Sequence, residues 1–123
     1  MSDIQQLSWN IKELVDDLHE RFIQAEEAVD KKDREFFERV KVETKPMFEL
    51  AKDWLSQAEE FVKRRDVNVH PTQVQSTYEN VEMLILHGYY ADVPKKRFKE
   101  MYRSVHYVVD MILTDWENRE EAE

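Results

Sequence analysis

The chain has 123 residues, one glycine, three prolines and no cysteine, and its formal net charge is -9 at pH 7. This length suits one domain, residues 1–123, whose core needs no metal or disulfide, and the missing thiols exclude thiolate nucleophiles and zinc–thiolate sites. The negative charge disfavours nucleic acid and anionic membrane surfaces as partners, because both are themselves anionic.

The N-terminal stretch MSDIQQLSWNIKELVDD lacks the basic start and the apolar run of a signal peptide. No apolar run approaches the roughly 20 residues that a helix needs to span a bilayer. We therefore predict a cytoplasmic protein without a membrane segment. The few glycines and prolines, together with 37% charged residues, are typical of long helices joined by short turns.

The first predicted element is an amphipathic helix over residues 3–30. Its apolar residues recur at alternating steps of three and four, and they are Ile4, Leu7, Ile11, Leu14, Leu18, Phe22, Ala25 and Val29. This spacing places them on one face of a helix. Ser2 or Asp3 can cap the first turn, and the polar residues 30–33 end the helix.

The second stripe predicts one helix over residues 33–65, because both of its halves point the same way at about 100° per residue. Its members are Phe36, Phe37, Val40, Met47, Phe48, Ala51, Trp54, Leu55, Ala58, Phe61 and Val62. Pro46 lies within it and cannot donate a hydrogen bond to the carbonyl of Val42. We therefore expect a kink there, or a break with Thr44 as a new cap.

Two further helices follow, each with a proline at its start. Pro71 begins a helix over residues 71–90, and Asp92 followed by Pro94 repeats this start for a fourth helix. The third stripe contains Val74, Tyr78, Val81, Leu84, Ile85 and Gly88, and the fourth contains Phe98, Met101, Tyr102, Val105, Val108, Val109, Ile112, Leu113 and Trp116. The acidic tail, about 117–123, is expected to fray.

Four amphipathic helices joined by short links fold most simply as an antiparallel up-down-up-down four-helix bundle, an all-α fold. One end of this bundle carries a concentration of positive charge, although the helix dipole disfavours cations at the start of a helix. This basic surface consists of Lys95, Lys96, Arg97, Lys99 and Arg103.

Two partners can neutralise the basic surface. One is intramolecular, since Asp30, Asp33 and Glu35 are predicted at the same end, and exposed pairs of this kind contribute about 0 to 1 kcal/mol. The other is external, either a phosphate or an acidic surface of another protein. The sequence leaves both open.

An apolar patch lies outside the core stripes of the third and fourth helices. It consists of Met83, Leu86, Tyr90, Tyr107 and Met111. Scattered apolar residues are normal on protein surfaces, whereas a contiguous patch marks a self-association or partner surface. We favour a homodimer through these two helices.

Metal-binding and catalytic constellations are not visible in the sequence. Di-iron bundles use Glu-x-x-His pairs, and the nearest approach here is Asp16-x-x-His19 with His106-x-x-x-Asp110, which points about 90° or more away from the stripes. No glycine-rich elbow accompanies a serine. We therefore predict no metal, no cofactor and no enzymatic activity.

The segments VKRRDVNVHPTQV and VPKKRFKEMYRSVHYVV resemble the YppE-like family, small helical proteins of Gram-positive bacteria that form a domain of unknown function. The resemblance spans about residues 36–113. It implies an antiparallel helical bundle and carries over no catalytic residue, because no activity is established for the family. We predict a protein that acts by contacts with itself or an unidentified partner; the alternative is a binder of small anionic ligands or nucleotide phosphates at the basic surface.

Overall fold

Four antiparallel helices joined by short links make up the molecule. The computed structural model of the chain describes residues 3–64 and 67–122, and these ranges contain no β-strand. The helices are α1 (Ile4–Gln24), α2 (Arg34–Val62), α3 (Pro71–Tyr90) and α4 (Lys95–Ala122). The predicted all-α, up-down-up-down four-helix bundle is confirmed.

Helices α1 and α3 are the two central elements of the packing, since each contacts all three other helices. Each helix contacts the next one along the chain, and α1 also contacts both α3 and α4, whereas α2 and α4 occupy opposite corners. The approach of α1 to α3 is close at Gly88, where an added Cβ would lie 3.1 Å from Leu18 Cδ2. The one glycine of the chain therefore stands where two helices need room.

The predicted stripes form the core, except that Ala25 in the first stripe and Phe37 in the second are exposed. Leu14 is half-buried, and the residues with no exposed surface include Ile11, Val15, Trp54, Val81, Leu84, Ile85, Val105, Val109 and Ile112. Burying side chains of this size contributes roughly 1.5 to 3 kcal/mol each, which is why the stripes decide the fold. The core also holds a polar contact between two helices, in which the Trp54 indole donates to Ser8 Oγ at 3.1 Å.

Helix α1 is shorter than predicted. Asp3 caps it by accepting from the Gln6 amide at 2.8 Å, and Ser2 lies outside the described residues. The helix ends at Gln24 rather than residue 30, and Ala25 adopts an extended backbone. The following link crosses the end of α3, where the Val29 amide donates to the Tyr90 carbonyl at 2.9 Å. That tertiary bond takes the place of another helical turn.

Helix α2 continues through Pro46, so the chain does not break there. Thr44 is not a new cap, because its hydroxyl donates at 2.6 Å to the Val40 carbonyl within the same helix. Whether the axis kinks stays a prediction. The helix ends at Val62, before the predicted end at Arg65, and Arg65 lies outside the described residues.

The last two helices begin close to the predicted positions. At the start of α3, the His70 amide donates to Gln73 Oε1 at 2.8 Å. Ala91 ends α3 in the left-handed conformation, with φ 52°. Helix α4 is helical as far as Ala122, and fraying of its acidic tail stays a prediction. As far as the structure describes them, none of the four helices has a stretch long and apolar enough to cross a bilayer.

Candidate functional site

The turn before α4 is tied to two other parts of the fold through Asp92. This carboxylate contacts His87 Nδ1 at 2.6 Å and pairs with Lys31 Nζ at 2.8 Å, which joins the end of α3 to the α1–α2 link. Burial on its own raises the pKa of Asp92, but hydrogen bonds from Lys31 and His87 outweigh it and lower that pKa. Asp92 therefore anchors the turn. It was expected to cap α4, but its carboxylate contacts His87 and Lys31 instead.

The basic surface is exposed along the first turns of α4. All five side chains, Lys95, Lys96, Arg97, Lys99 and Arg103, reach solvent. Within the described part of the chain, no carboxylate lies within 4.0 Å of any of their charged groups. The described residues thus leave these five neighbouring cations without an ion-pair partner.

The carboxylates expected to neutralise the basic surface are used locally. Asp30 accepts from the Lys32 amide at 2.9 Å, and Asp33 caps α2 by accepting from the Phe36 amide at 3.1 Å. Glu35 is exposed in the first turn of α2. None of the three forms an ion pair with the basic surface.

A cleft of about 190 Å³ lies between the end of α1 and the start of α4. Its lining residues are His19, Phe22, Ile23, Lys95, Phe98 and Lys99. The floor is aromatic, because Phe22 stacks on Phe98 with ring centroids 4.1 Å apart. Antiparallel packing explains the arrangement: the last turn of one helix meets the first turn of the other. We call this opening the α1–α4 cleft.

Below the cleft, a polar strip joins the exposed edges of α1 and α4. Asp16 accepts from the Tyr102 hydroxyl at 2.6 Å and contacts His106 Nε2 at 2.8 Å, while Lys12 pairs with Asp110 at 2.6 Å. Burial on its own raises the pKa of Asp16, but the bonds with Tyr102 and His106 hold it below its ordinary value of 3.8. Burial and the bond to Asp16 raise the pKa of Tyr102 to about 12. These contacts fix the two helices relative to each other.

The histidines and carboxylates weighed for a metal site are therefore partners of one another or of aromatic rings. His19 stacks on Tyr102, with ring centroids 4.3 Å apart. Among the residues that the structure describes, no group of three or more histidine and carboxylate side chains has a metal-binding arrangement.

The apolar patch divides into exposed and half-buried members. Leu86 is 42% exposed and Tyr107 is 64% exposed, and Met83 is exposed as well. Tyr90 instead packs edge-on against Phe36, with ring centroids 5.3 Å apart, and Met111 is half-buried against the core. Three of the five predicted residues are thus exposed, and only Tyr107 has more than half of its surface in solvent.

Sequence reasoning did not single out Ile23, which is 57% exposed at the edge of the α1–α4 cleft. Ile23 follows Phe22 in the sequence but does not belong to the core stripe of α1. An apolar residue outside the stripe is expected to be exposed, and this was the signal that could have identified it. His19 was considered only as a metal ligand. Its place beside Phe98 depends on how α1 meets α4, which the spacing within α1 does not determine.

Comparisons with known proteins agree with this fold. A family model described as a bacterial domain of unknown function, DUF1798, matches residues 8–116. The uncharacterised protein YppE of Bacillus subtilis strain 168 is 35% identical over 79 residues, which are 63% of this chain and 64% of YppE. The chain thus spans less than two thirds of the length of the curated relative that it matches.

Two solved structures are similar over almost the whole chain. The crystal structure of YppE from Bacillus subtilis has a TM-score of 0.80 at 24% identity, and the match covers 98% of this chain and 96% of that one. A protein of unknown function from Listeria innocua has a TM-score of 0.73 at 18% identity, with coverage of 97% and 94%. At these identities the likeness shows the fold alone. The chain belongs to the family of the bacterial domain of unknown function DUF1798, an uncharacterised family of Gram-positive bacterial proteins, which confirms the resemblance seen in its sequence.

Proposed function

We propose that this chain is a non-catalytic binding protein that recognises an acidic surface of a partner protein through the basic surface of α4. The observation that carries the proposal is the absence of any ion pair to these five cations within the described residues. Like charges clustered on a protein of net charge -9 repel one another and gain nothing from the helix dipole. An acidic partner removes that repulsion and accelerates encounter.

The geometry favours a macromolecular partner over a nucleotide. The α1–α4 cleft next to the basic surface has a volume of about 190 Å³. Pockets that enclose small molecules usually have roughly 300 to 1,000 Å³. The cations also lie along an exposed helix surface, an arrangement that suits an extended acidic segment better than one phosphate group.

The proposal is tested by fluorescence anisotropy with a fluorescein-labelled peptide of ten residues in which glutamate and aspartate alternate. Binding is expected at low ionic strength and should weaken as salt rises, because salt screens exposed charges. The double variant Lys95→Glu, Lys96→Glu should bind about tenfold more weakly or worse. The matched control, Lys45→Glu with Lys52→Glu, makes the same charge change at exposed sites on α2. Equal losses in the two variants, or no binding to the parent, would refute the proposal.

Self-association is a second candidate, supported by the exposure of Met83 and Leu86 one helical turn apart on α3. Sedimentation equilibrium at increasing concentration measures it directly. A dimer that Leu86→Asp converts to a monomer supports this candidate. A parent protein that stays monomeric at about 1 mM contradicts it.

A further inference from the structure

The α1–α4 cleft joins an apolar floor to a charged rim. Phe22 and Phe98 form the stacked floor, and Ile23 stands at the edge with 57% of its surface exposed. The rim carries Lys95 and Lys99, two members of the basic surface. Any group that enters the cleft therefore meets apolar carbon below and positive charge beside it.

The volume of the cleft matches one large side chain. At about 190 Å³ it lies below the range of roughly 300 to 1,000 Å³ that encloses whole small molecules. A larger cleft of about 360 Å³, which Tyr107 and Met111 line on α4, also presents the carboxylates of Asp110 and Asp115 and so does not suit an acidic ligand. The α1–α4 cleft is lined by two cations of the basic surface and by no carboxylate, so it suits an acidic partner and supplies an apolar contact next to the basic surface.

His19 adds a polar group to the same opening. Its ring stacks on Tyr102 and lies along Phe98, with centroids 6.1 Å apart in the second pair. Its ring nitrogens bond to no residue that the structure describes. An imidazole that is held by stacking and left without a partner can donate to a carboxylate or a peptide carbonyl of a bound segment.

We infer that the α1–α4 cleft takes one aromatic or large aliphatic side chain from an acidic segment of the partner protein, whose flanking carboxylates contact Lys95 and Lys99. This inference rests on the proposed function and names the kind of segment recognised. Protein interfaces gain most of their affinity from a few buried anchor side chains, whereas exposed charge pairs add little. The cleft supplies the apolar contact that the basic surface lacks.

The test compares two fluorescein-labelled peptides, each with three acidic residues on either side of a central residue. The central residue is phenylalanine in one peptide and alanine in the other. The phenylalanine peptide should bind the parent protein about tenfold more tightly, as an anchor side chain requires. Ile23→Ser should reduce this ratio to about threefold or less. Val42→Ser, at an exposed apolar position on α2, is the matched control and should leave the ratio unchanged.

The location is checked independently by following backbone amide resonances while the phenylalanine peptide is added. Residues around Ile23 and Lys99 should shift, and those around Val42 should not. Equal binding of both peptides, with Lys95→Glu and Lys96→Glu still weakening it, overturns the inference and leaves the proposed function standing. A preference for phenylalanine that Ile23→Ser does not change, or shifts elsewhere, also overturns it.

Two further outcomes are informative. If neither peptide binds, the proposed function and the inference both fail. If 3-phenylpropionate, a free aromatic acid, binds as tightly as the phenylalanine peptide, the flanking carboxylates contribute nothing. The occupant is then a small molecule, and the inference of a protein segment is overturned.

Discussion

Replacing Ser8 by alanine tests the buried hydrogen bond between α1 and α2. Ser8 and Trp54 have no exposed surface, and the indole donates to the Ser8 hydroxyl oxygen at 3.1 Å. Ser8→Ala leaves the indole N–H without this acceptor, and an unsatisfied buried donor costs about 1 to 3 kcal/mol. Alanine favours the helix over serine by up to about 0.5 kcal/mol. The free energy of unfolding should therefore fall by about 0.5 to 2.5 kcal/mol.

The measurement is urea unfolding followed by circular dichroism at 222 nm. Ser104→Ala, on the exposed face of α4, is the matched control because it changes helix propensity without removing a buried acceptor. In the Ser8→Ala background, Trp54→Phe should cost less than in the parent, because the donor that it removes is already unsatisfied. If Ser8→Ala is as stable as Ser104→Ala, the indole finds another acceptor and the reasoning fails.

Three further changes test other parts of the fold. Ala91→Gly should raise the free energy of unfolding by about 0.5 to 1 kcal/mol in thermal unfolding, since φ 52° strains any residue with a Cβ; an unchanged melting temperature contradicts this. Asp115→Ala should lower the free energy of unfolding in urea by about 1 to 3 kcal/mol, because this buried carboxylate accepts two hydrogen bonds from Asn68 in the α2–α3 link. A loss below roughly 0.5 kcal/mol would show that other contacts hold this link in place. Because the pKa of Asp16 is lowered in the fold, the bonds of its carboxylate with Tyr102 and His106 stabilise the fold fully when the pH is above 3.8, the ordinary pKa of the group. This stabilisation is lost as the pH falls through the lowered pKa. The urea midpoints of the parent and Asp16→Asn should therefore differ near pH 7 and converge near pH 2, and a gap that persists in acid contradicts the assignment.

The sequence predicted the bundle because helical periodicity is a local property that tertiary packing then uses. Trp54, Ile85 and Val105 stand at the centre of their stripes, and all three are fully buried. The prediction failed where a tertiary contact competed with the stripe. At the end of α1, the bond from Val29 to the Tyr90 carbonyl takes the chain out of the helix, and no spacing within residues 3–30 could indicate it.

The candidate site was predicted only in part for a related reason. Charge counting located the basic surface, because its residues lie within nine positions of the sequence and can be recognised without knowing their neighbours in the fold. Whether Asp30 and Asp33 neutralise the basic surface depends on the directions of their side chains. In the structure, both carboxylates accept hydrogen bonds from backbone amides. The cleft requires His19 and Phe98 to meet across two helices that are far apart in the chain.

The contacts of Asp92 bear on the proposed recognition of an acidic partner. Asp92 joins the turn before α4 to α3 and to the α1–α2 link, which constrains the backbone under the basic surface. Five exposed cations on that backbone still contribute little each, since every ion pair orders a long side chain and is screened by salt. Association itself costs several kcal/mol in lost freedom of motion. Charge alone therefore yields fast encounter with weak and unselective binding, and a selective complex needs an apolar contact that is already shaped. In the binding mode proposed above, the α1–α4 cleft over Phe22 and Phe98, next to the basic surface, provides that contact.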